Sequence, residues 1–256
     1  MFASFLHGEA KLANPNMLSK KQEKLVRSLR LKKNRNAEKL FVIEGTKLIK
    51  EAIQEKADIK YLFATNAWLS KNDLEIEYIE IVEKEMQKMS VLKTSPGVLA
   101  IVSFPEIATY ENDVTLILDN IKDPGNLGTI IRTAETFGVN KIVCSEETVD
   151  CFNEKVVQAS MGSIFRVQVF YTNLEEYLKE LDPNQVFASS LQGENIYEIK
   201  ISSPSYIIMG SESHGISDEI YSFAGNKIKV PQQGKVESMN VSIATAVILA
   251  EFRRRV

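Results

Sequence analysis

The chain has 256 residues, 44% of them hydrophobic, and a formal net charge of −3. That length and apolar content suit one or two ordinary cores, with two domains of unequal size expected. A membrane span and a signal peptide are both unsupported: no run of about eighteen apolar residues occurs, and "MFASFLHGEAKLANPNM" has no basic segment ahead of an apolar one.

The mixed character of those first residues reads as a leader over 1–16, with the native start at Met17. Two cysteines, Cys144 and Cys151, lack CxxC spacing, and only His7 and His214 accompany them. A zinc site or disulfide framework is therefore not expected, and a metal-free protein in a reducing, cytoplasmic setting is. From Lys20 to Lys39 the charge is concentrated: Lys20, Lys21, Lys24, Arg27, Arg30, Lys32, Lys33, Arg35 and Lys39 stand against Glu23 and Glu38, a net +7. The block reads as one basic helix, either a solvated face or a surface that contacts phosphates by releasing counterions from a polyanion.

After it, "KLFVIEG" reads as a strand and "TKLIKEAIQE" as a helix with Leu48, Ile49, Ala52 and Ile53 on one side. "IKYLFAT" is a strand, a short segment surrounds Trp68, "IEYIEI" is a strand, "VEKEMQKMS" a helix and "PGVLAIVSF" a strand. Alternating elements over this length predict a small α/β domain. The polar, acidic "PEIATYEND" at 105–113 reads as a linker, and the domains are placed at 1–106 and 107–256.

The second domain opens on "VTLIL", a continuous apolar run typical of a strand buried on both faces. "DPGNLGTIIRTAETFG" then supplies a turn at Pro124 and Gly125, a helix carrying Ile130, Ile131, Ala134 and Phe137 on one side, and Gly138 as its stop, before the strand "KIVC". A βαβ unit with a glycine-containing loop at the carboxyl end of its first strand is where open α/β sheets bind ligands, yet neither GxGxxG nor a Walker A lysine is present. Asn126 reads as the N-cap if the helix begins near Leu127 or Gly128, with Arg132 about one turn in. "NEKVVQASMGSIFRVQVF" gives a helix and a strand, "NLEEYLKEL" a helix and "QVFASS" a strand. "SYIIMGSESHGIS" is a strand ending in a polar loop, in which Gly210 permits close approach of backbone to a ligand and Glu212 places an acid at the strand end. His214 there reads as loop polarity. "NKIKV" leads into "PQQGKVESMN" and the helix "NVSIATAVILAEFRRR", whose Val241, Ala244, Thr245, Ile248 and Phe252 form an apolar stripe. Ser238 and Asn240 suit that helix's N-cap. Three polar loops at strand ends of one sheet predict a shared pocket.

"DPGNLGTIIRTAETFG", "IIMGSESHGIS" and "VPQQGKVESMNVSIATAVILAEF", in this order over roughly 113–256, resemble the three motifs of the SpoU/TrmH family of RNA 2'-O-ribose methyltransferases, of the SPOUT class. "LRLKKNRNAEKLFVIEGTKLIKEAI" resembles more loosely the substrate-binding domain of that family's ribosomal RNA enzymes. The resemblance implies a parallel α/β sheet with a deep C-terminal trefoil knot, plus an N-terminal domain of ribosomal-protein-L30-like fold. It implies S-adenosylmethionine as methyl donor, held by knot-loop backbone at Gly210, Val230 and Met239, and a functional set of Asn126, Arg132, Glu212, Ser238 and Asn240. It also implies homodimers paired through the knot domain, with ribosomal RNA the expected partner, contacted through Lys32, Lys33 and Arg35. Arg132 suits a phosphate clamp, because guanidinium binds oxyanions bidentately; the general-base role that the resemblance also attaches to it conflicts with a group that stays protonated. Transfer RNA as substrate, and a fold-only RNA-binding protein without turnover, are the alternatives.

Overall fold

The structure, a computed structural model, describes residues 18–106, 113–235 and 238–255. The leader assignment, the start at Met17, linker residues 107–112 and loop residues 236–237 lie outside the described residues. Contacts divide the chain into two compact units, Met1–Phe104 and Pro105–Val256.

In the first unit the basic stretch is two helices, not one: α1 (Lys20–Ser28) and α2 (Lys32–Glu38). Neither proline nor glycine marks the break. It is held by side chains of α2 that reach back to the carbonyls ending α1: Asn34 Nδ2 donates to Ser28 O at 2.9 Å, and Arg35 Nη1 donates to Leu29 O and Arg30 O at 2.7 and 2.8 Å. Then come β1 (Leu40–Glu44), α3 (Thr46–Gln54), β2 (Ile59–Thr65), α4 (Asn66–Leu69), β3 (Ile79–Ile81), α5 (Glu83–Met89) and β4 (Val98–Ser103). Of the expected strand "IEYIEI" only its last three residues pair. The sheet order is β1-β4-β2-β3, with β4 antiparallel to both neighbours and β2 parallel to β3. Val26 and Leu29 meet Phe63, Met86, Leu99 and Ile101 in its core.

The second unit runs β5 (Val114–Asp119), α6 (Pro124–Thr136), β6 (Lys141–Cys144), α7 (Glu154–Ser160), β7 (Gln168–Tyr171), α8 (Leu174–Lys179), β8 (Val186–Asn195), β9 (Ser205–Gly210), α9 (Asp218–Tyr221), β10 (Asn226–Lys229) and α10 (Val241–Arg255). Its six strands are parallel throughout, in the order β10-β8-β9-β5-β6-β7. All six residues of β5 are buried, as its mainly apolar run predicts of a strand covered on both faces, Thr115 and Asp119 being its two polar members. Ile117, Val143 and Ile208 pack with Leu174 and Leu178 of α8 and Ile220 of α9. Alternation sends Phe187 to the opposite face, where its ring meets Phe252 of α10 edge-on at 5.1 Å. Helix α6 packs there against α7 so closely that a Cβ on Gly128 would lie 2.5 Å from Ala159 Cβ.

The chain leaves β5 toward β6 and β7 on one side, then crosses to place β9, β8 and β10 on the other. Loops that follow β5 and β9 therefore diverge from neighbouring strand ends at a switch point, with Asp119 paired to Gly210 in register. The sequence ends of these strands, and of β10, are the three polar loops.

Candidate active site

Helix α6 begins one turn earlier than its apolar stripe suggests. Pro124 occupies its first turn and Asp123 is the N-cap, accepting from Asn126 N at 2.8 Å. Asn126 is thus not the N-cap that its position before the apolar run predicts. Freed from capping, its side chain donates from Nδ2 to Glu212 Oε1 at 2.8 Å, across 86 residues of sequence. Asn240 Nδ2 donates to the same oxygen at 2.6 Å and to Asn126 Oδ1 at 3.1 Å. One carboxylate oxygen so gathers the loops after β5, β9 and β10.

Asn240 does a second job with its other end. Its Oδ1 accepts from Ser242 N at 3.0 Å and Ser242 Oγ at 2.6 Å, and from Ile243 N at 3.4 Å, which caps α10 as predicted. Ser238 makes no such contact with the first turn and lines the adjoining cleft instead.

That cleft, of about 600 Å³, is walled by the ends of β8, β9 and β10 and the start of α10. Gly210, Val230, Ser238 and Met239 all line it, as do Glu212 and His214. Its size suits a nucleoside-sized ligand. Gly210 lines the cleft and also lets the protein's own backbone approach closely: a Cβ there would sit 2.1 Å from Gly215 C and 2.2 Å from Ile216 N. The protein's own loop fills that space, folded back by paired bonds from Ser211 N to Gly215 O (2.9 Å) and Gly215 N to Ser211 O (2.8 Å). Gly215 at φ +70° makes the turn.

Asp119, which the sequence reading passed over, anchors the far end of the same loop. Its carboxylate, 6% exposed, accepts from both Ser217 N and Ser217 Oγ at 2.8 Å. An acid closing a strand of otherwise apolar and small residues was the available signal. A further wall was also missed: β10 pairs with Phe187 and Ala188 and then jumps to Glu194 and Asn195, so that residues 189–193 fall outside the register, with Ser189, Ser190, Leu191 and Gln192 lining the cleft and Gly193 packed on β10, where a Cβ would lie 2.5 Å from Ile228 N.

Arg132 stands apart from the triad. Six residues beyond Asn126, it lies about 120° around the helix axis, on the exposed stripe with Thr129 and Thr136. Among the described residues its guanidinium has no hydrogen-bond or ion-pair partner. His214 is exposed, with Nδ1 2.7 Å from Ser213 Oγ. The terminal arginines are staples: Arg253 donates to Phe137 O and Gly138 O at the end of α6 (2.7 and 2.8 Å), and Arg255 to Ile199 O (2.6 Å). Glu251 beside them is held below the ordinary carboxylate range by its hydrogen bond from Arg254, helped by Arg255. Both cysteines are free and buried, and burial pushes the Cys144 thiol well up, away from nucleophilic use. Among the described residues no group of His, Cys, Asp and Glu could hold a metal ion, and no helix is long and apolar enough to cross a membrane.

In the first unit Lys32 and Lys33 are exposed, but Arg35 is 3% exposed, its guanidinium spent on the carbonyls that end α1. It is removed from the phosphate-contacting set, because a buried donor already bonded to backbone cannot reach a solvated polyanion.

Residues 113–250 match the SpoU rRNA Methylase family, and residues 20–100 match the MRM3-like substrate binding domain. The chain is 31% identical over 232 residues to the 23S rRNA (guanosine(2553)-2'-O)-methyltransferase RlmP of Bacillus subtilis, covering 89% of this chain and 94% of that protein. Among solved structures, a putative RNA methyltransferase of the TrmH family from Porphyromonas gingivalis superposes with TM-score 0.83 at 35% identity, covering 94% of this chain and 100% of that one. An AdoMet-bound rRNA methyltransferase from Sinorhizobium meliloti superposes with TM-score 0.78 at 30% identity, covering 93% and 97%.

Proposed function

The chain belongs to the SpoU rRNA methylase family, and from that premise we propose that it transfers a methyl group from S-adenosylmethionine to a ribose 2'-hydroxyl of RNA, with 23S-type ribosomal RNA as substrate. The observation that carries the site assignment is the convergence of Asn126 and Asn240 on one carboxylate oxygen of Glu212 at the rim of a nucleoside-sized cleft. The cleft fits the methyl donor: its walls are backbone-rich at Gly210 and Val230, with Met239 and Ile228 as apolar contacts. When bound, that donor brings an already activated methyl group on a sulfonium.

What remains for the protein is alignment, which supplies about 7–11 kcal/mol of the barrier in favourable cases. Glu212, with Oε1 taken by two amide donors, works as the tie that fixes the three loops. Ser238 and Asn240 orient the ribose. Arg132 clamps an RNA phosphate; its exposed guanidinium, free of partners among the described residues, supports that use. We read the chain from Gly210 onward as threading an earlier loop in a trefoil knot, residues 107–256 as the catalytic domain and 1–106 as an L30-like RNA-binding domain, with Lys32 and Lys33 on phosphates. We further propose a cytoplasmic homodimer paired through α10, a reading supported by Ile243, 56% exposed on its first turn.

Arg132→Ala tests the site. Methyl transfer to ribosomal RNA is expected to vanish while calorimetric affinity for S-adenosylmethionine stays level; equal loss of cofactor binding would make the arginine structural. Mapping 2'-O-methyl positions in ribosomal RNA from cells with and without the protein tests the substrate, and a map in which no position disappears defeats it.

A further inference from the structure

We infer that Lys229 and Asp218 recognise the zwitterionic amino-acid end of the methyl donor, Lys229 taking its α-carboxylate and Asp218 its α-ammonium. The inference rests on the reading of the cleft as the donor's site. Both residues line that cleft and both are exposed. Neither pairs with the other, and among the described residues neither has an ion-pair or side-chain hydrogen-bond partner.

The neighbouring charges are already engaged. Glu212 accepts two amide hydrogen bonds at Oε1. Lys227, two residues before Lys229 on β10, rests over the Tyr221 ring with Nζ 4.4 Å from its centroid. Lys229 is the one lysine or arginine among the described lining residues. Of the two carboxylates among them, Asp218 is the one whose oxygens no hydrogen-bond donor occupies, a pairing that complements a ligand carrying both signs close together. The donor's adenosine is uncharged, and its sulfonium and ammonium are cationic. Its α-carboxylate is therefore the one group that gains from Lys229, and the ammonium beside that carboxylate gains from Asp218. These contacts bear on the tail, away from the reacting methyl, so they strengthen ground and transition states alike and act on affinity, not turnover.

Calorimetric titration with two ligands separates this from other roles. Lys229→Met is expected to weaken S-adenosylmethionine by about five- to tenfold and to leave decarboxylated S-adenosylmethionine, which keeps the amine but lacks the carboxylate, within about twofold of wild type. Asp218→Asn is expected to weaken both ligands, since both retain the ammonium. KM for the donor should rise in each variant with kcat held and Tm unchanged. Loss of affinity for both ligands in Lys229→Met, or for neither, overturns the assignment. So does a raised KM for RNA with donor affinity intact. Wild-type protein that binds no S-adenosylmethionine defeats the underlying reading; wild-type protein that binds the two ligands equally sinks only this inference.

Discussion

Gly210→Ala asks whether the loop after β9 is built by backbone packing. The added Cβ would meet Gly215 C at 2.1 Å, Ile216 N at 2.2 Å and Gly215 O at 2.3 Å. Comfortable contact needs about 3.5 Å, so a displacement of more than an ångström is forced, and no rotamer change can relieve it because every obstacle is main chain. Overpacking of this kind costs about 1–3 kcal/mol. The two hydrogen bonds that close the Ser211–Gly215 turn would be lost in the shift, at about 1 kcal/mol each. The total of about 3–5 kcal/mol corresponds to a fall in Tm of roughly 10 °C for a domain this size. Since residues 210–216 line the cleft, donor affinity should drop by more than about tenfold in the same variant. Differential scanning fluorimetry and calorimetric titration measure both. Gly234→Ala is the control, because a Cβ there meets nothing within 4 Å. A Gly210→Ala protein with the Tm and donor affinity of that control would refute the packing argument.

Two further outcomes separate charge that binds from charge that folds. Arg35→Ala leaves the carbonyls of Leu29 and Arg30 without their donor and should cost about 3 kcal/mol of stability, whereas Lys32→Ala and Lys33→Ala should leave Tm unchanged and each lower the salt slope of RNA binding by about one. A salt slope that falls with Arg35→Ala at unchanged Tm would restore that arginine to the binding surface. At Glu135, burial pushes the carboxyl up, but hydrogen bonds from Arg166 and Ser163 outweigh it and hold the group below its ordinary value. A depressed carboxyl stabilises the fold fully above its unfolded-state pKa and loses that contribution as pH falls through the folded one. The stability gap between wild type and Glu135→Gln should therefore shrink from about pH 7 to about pH 3, followed by thermal melts; a gap constant across that range would contradict the assignment.

The alternation of strands and helices was legible from the apolar periodicity of its elements, and β5 was legible as an all-buried strand because its run is apolar apart from the β-branched Thr115. What escaped the sequence had tertiary causes. The break between α1 and α2 lacks a breaker residue and exists because Asn34 and Arg35 satisfy α1's last carbonyls from the next helix. In "DPGN" two residues can cap a helix, and the apolar stripe favoured Asn126; Pro124, which suits a first helical turn, was the local clue that Asp123 comes first. The bulge at 189–193 shows no period of its own, because Ser189, Ser190, Leu191 and Gln192 line a cleft while Gly193 packs on the β10 backbone. The membership of Asn126, Glu212 and Asn240 in one set was supplied by family resemblance; their meeting, across 86, 28 and 114 positions, no local pattern could give.

Asn240 shows why reading it as a cap and reading it as a site residue were never rivals. Its Oδ1 is consumed by the first turn of α10, and this orients the amide so that Nδ2 points away from the helix toward Glu212 and Asn126. The cap is thus the device that aims the donor. An aspartate could still cap α10 but would set a second carboxylate against Glu212 Oε1, 2.6 Å from the present nitrogen, replacing an attraction by repulsion. The two roles therefore come apart only at that one nitrogen. Capping constrains the residue to a short polar side chain, and the triad then selects the amide from among the residues that cap well.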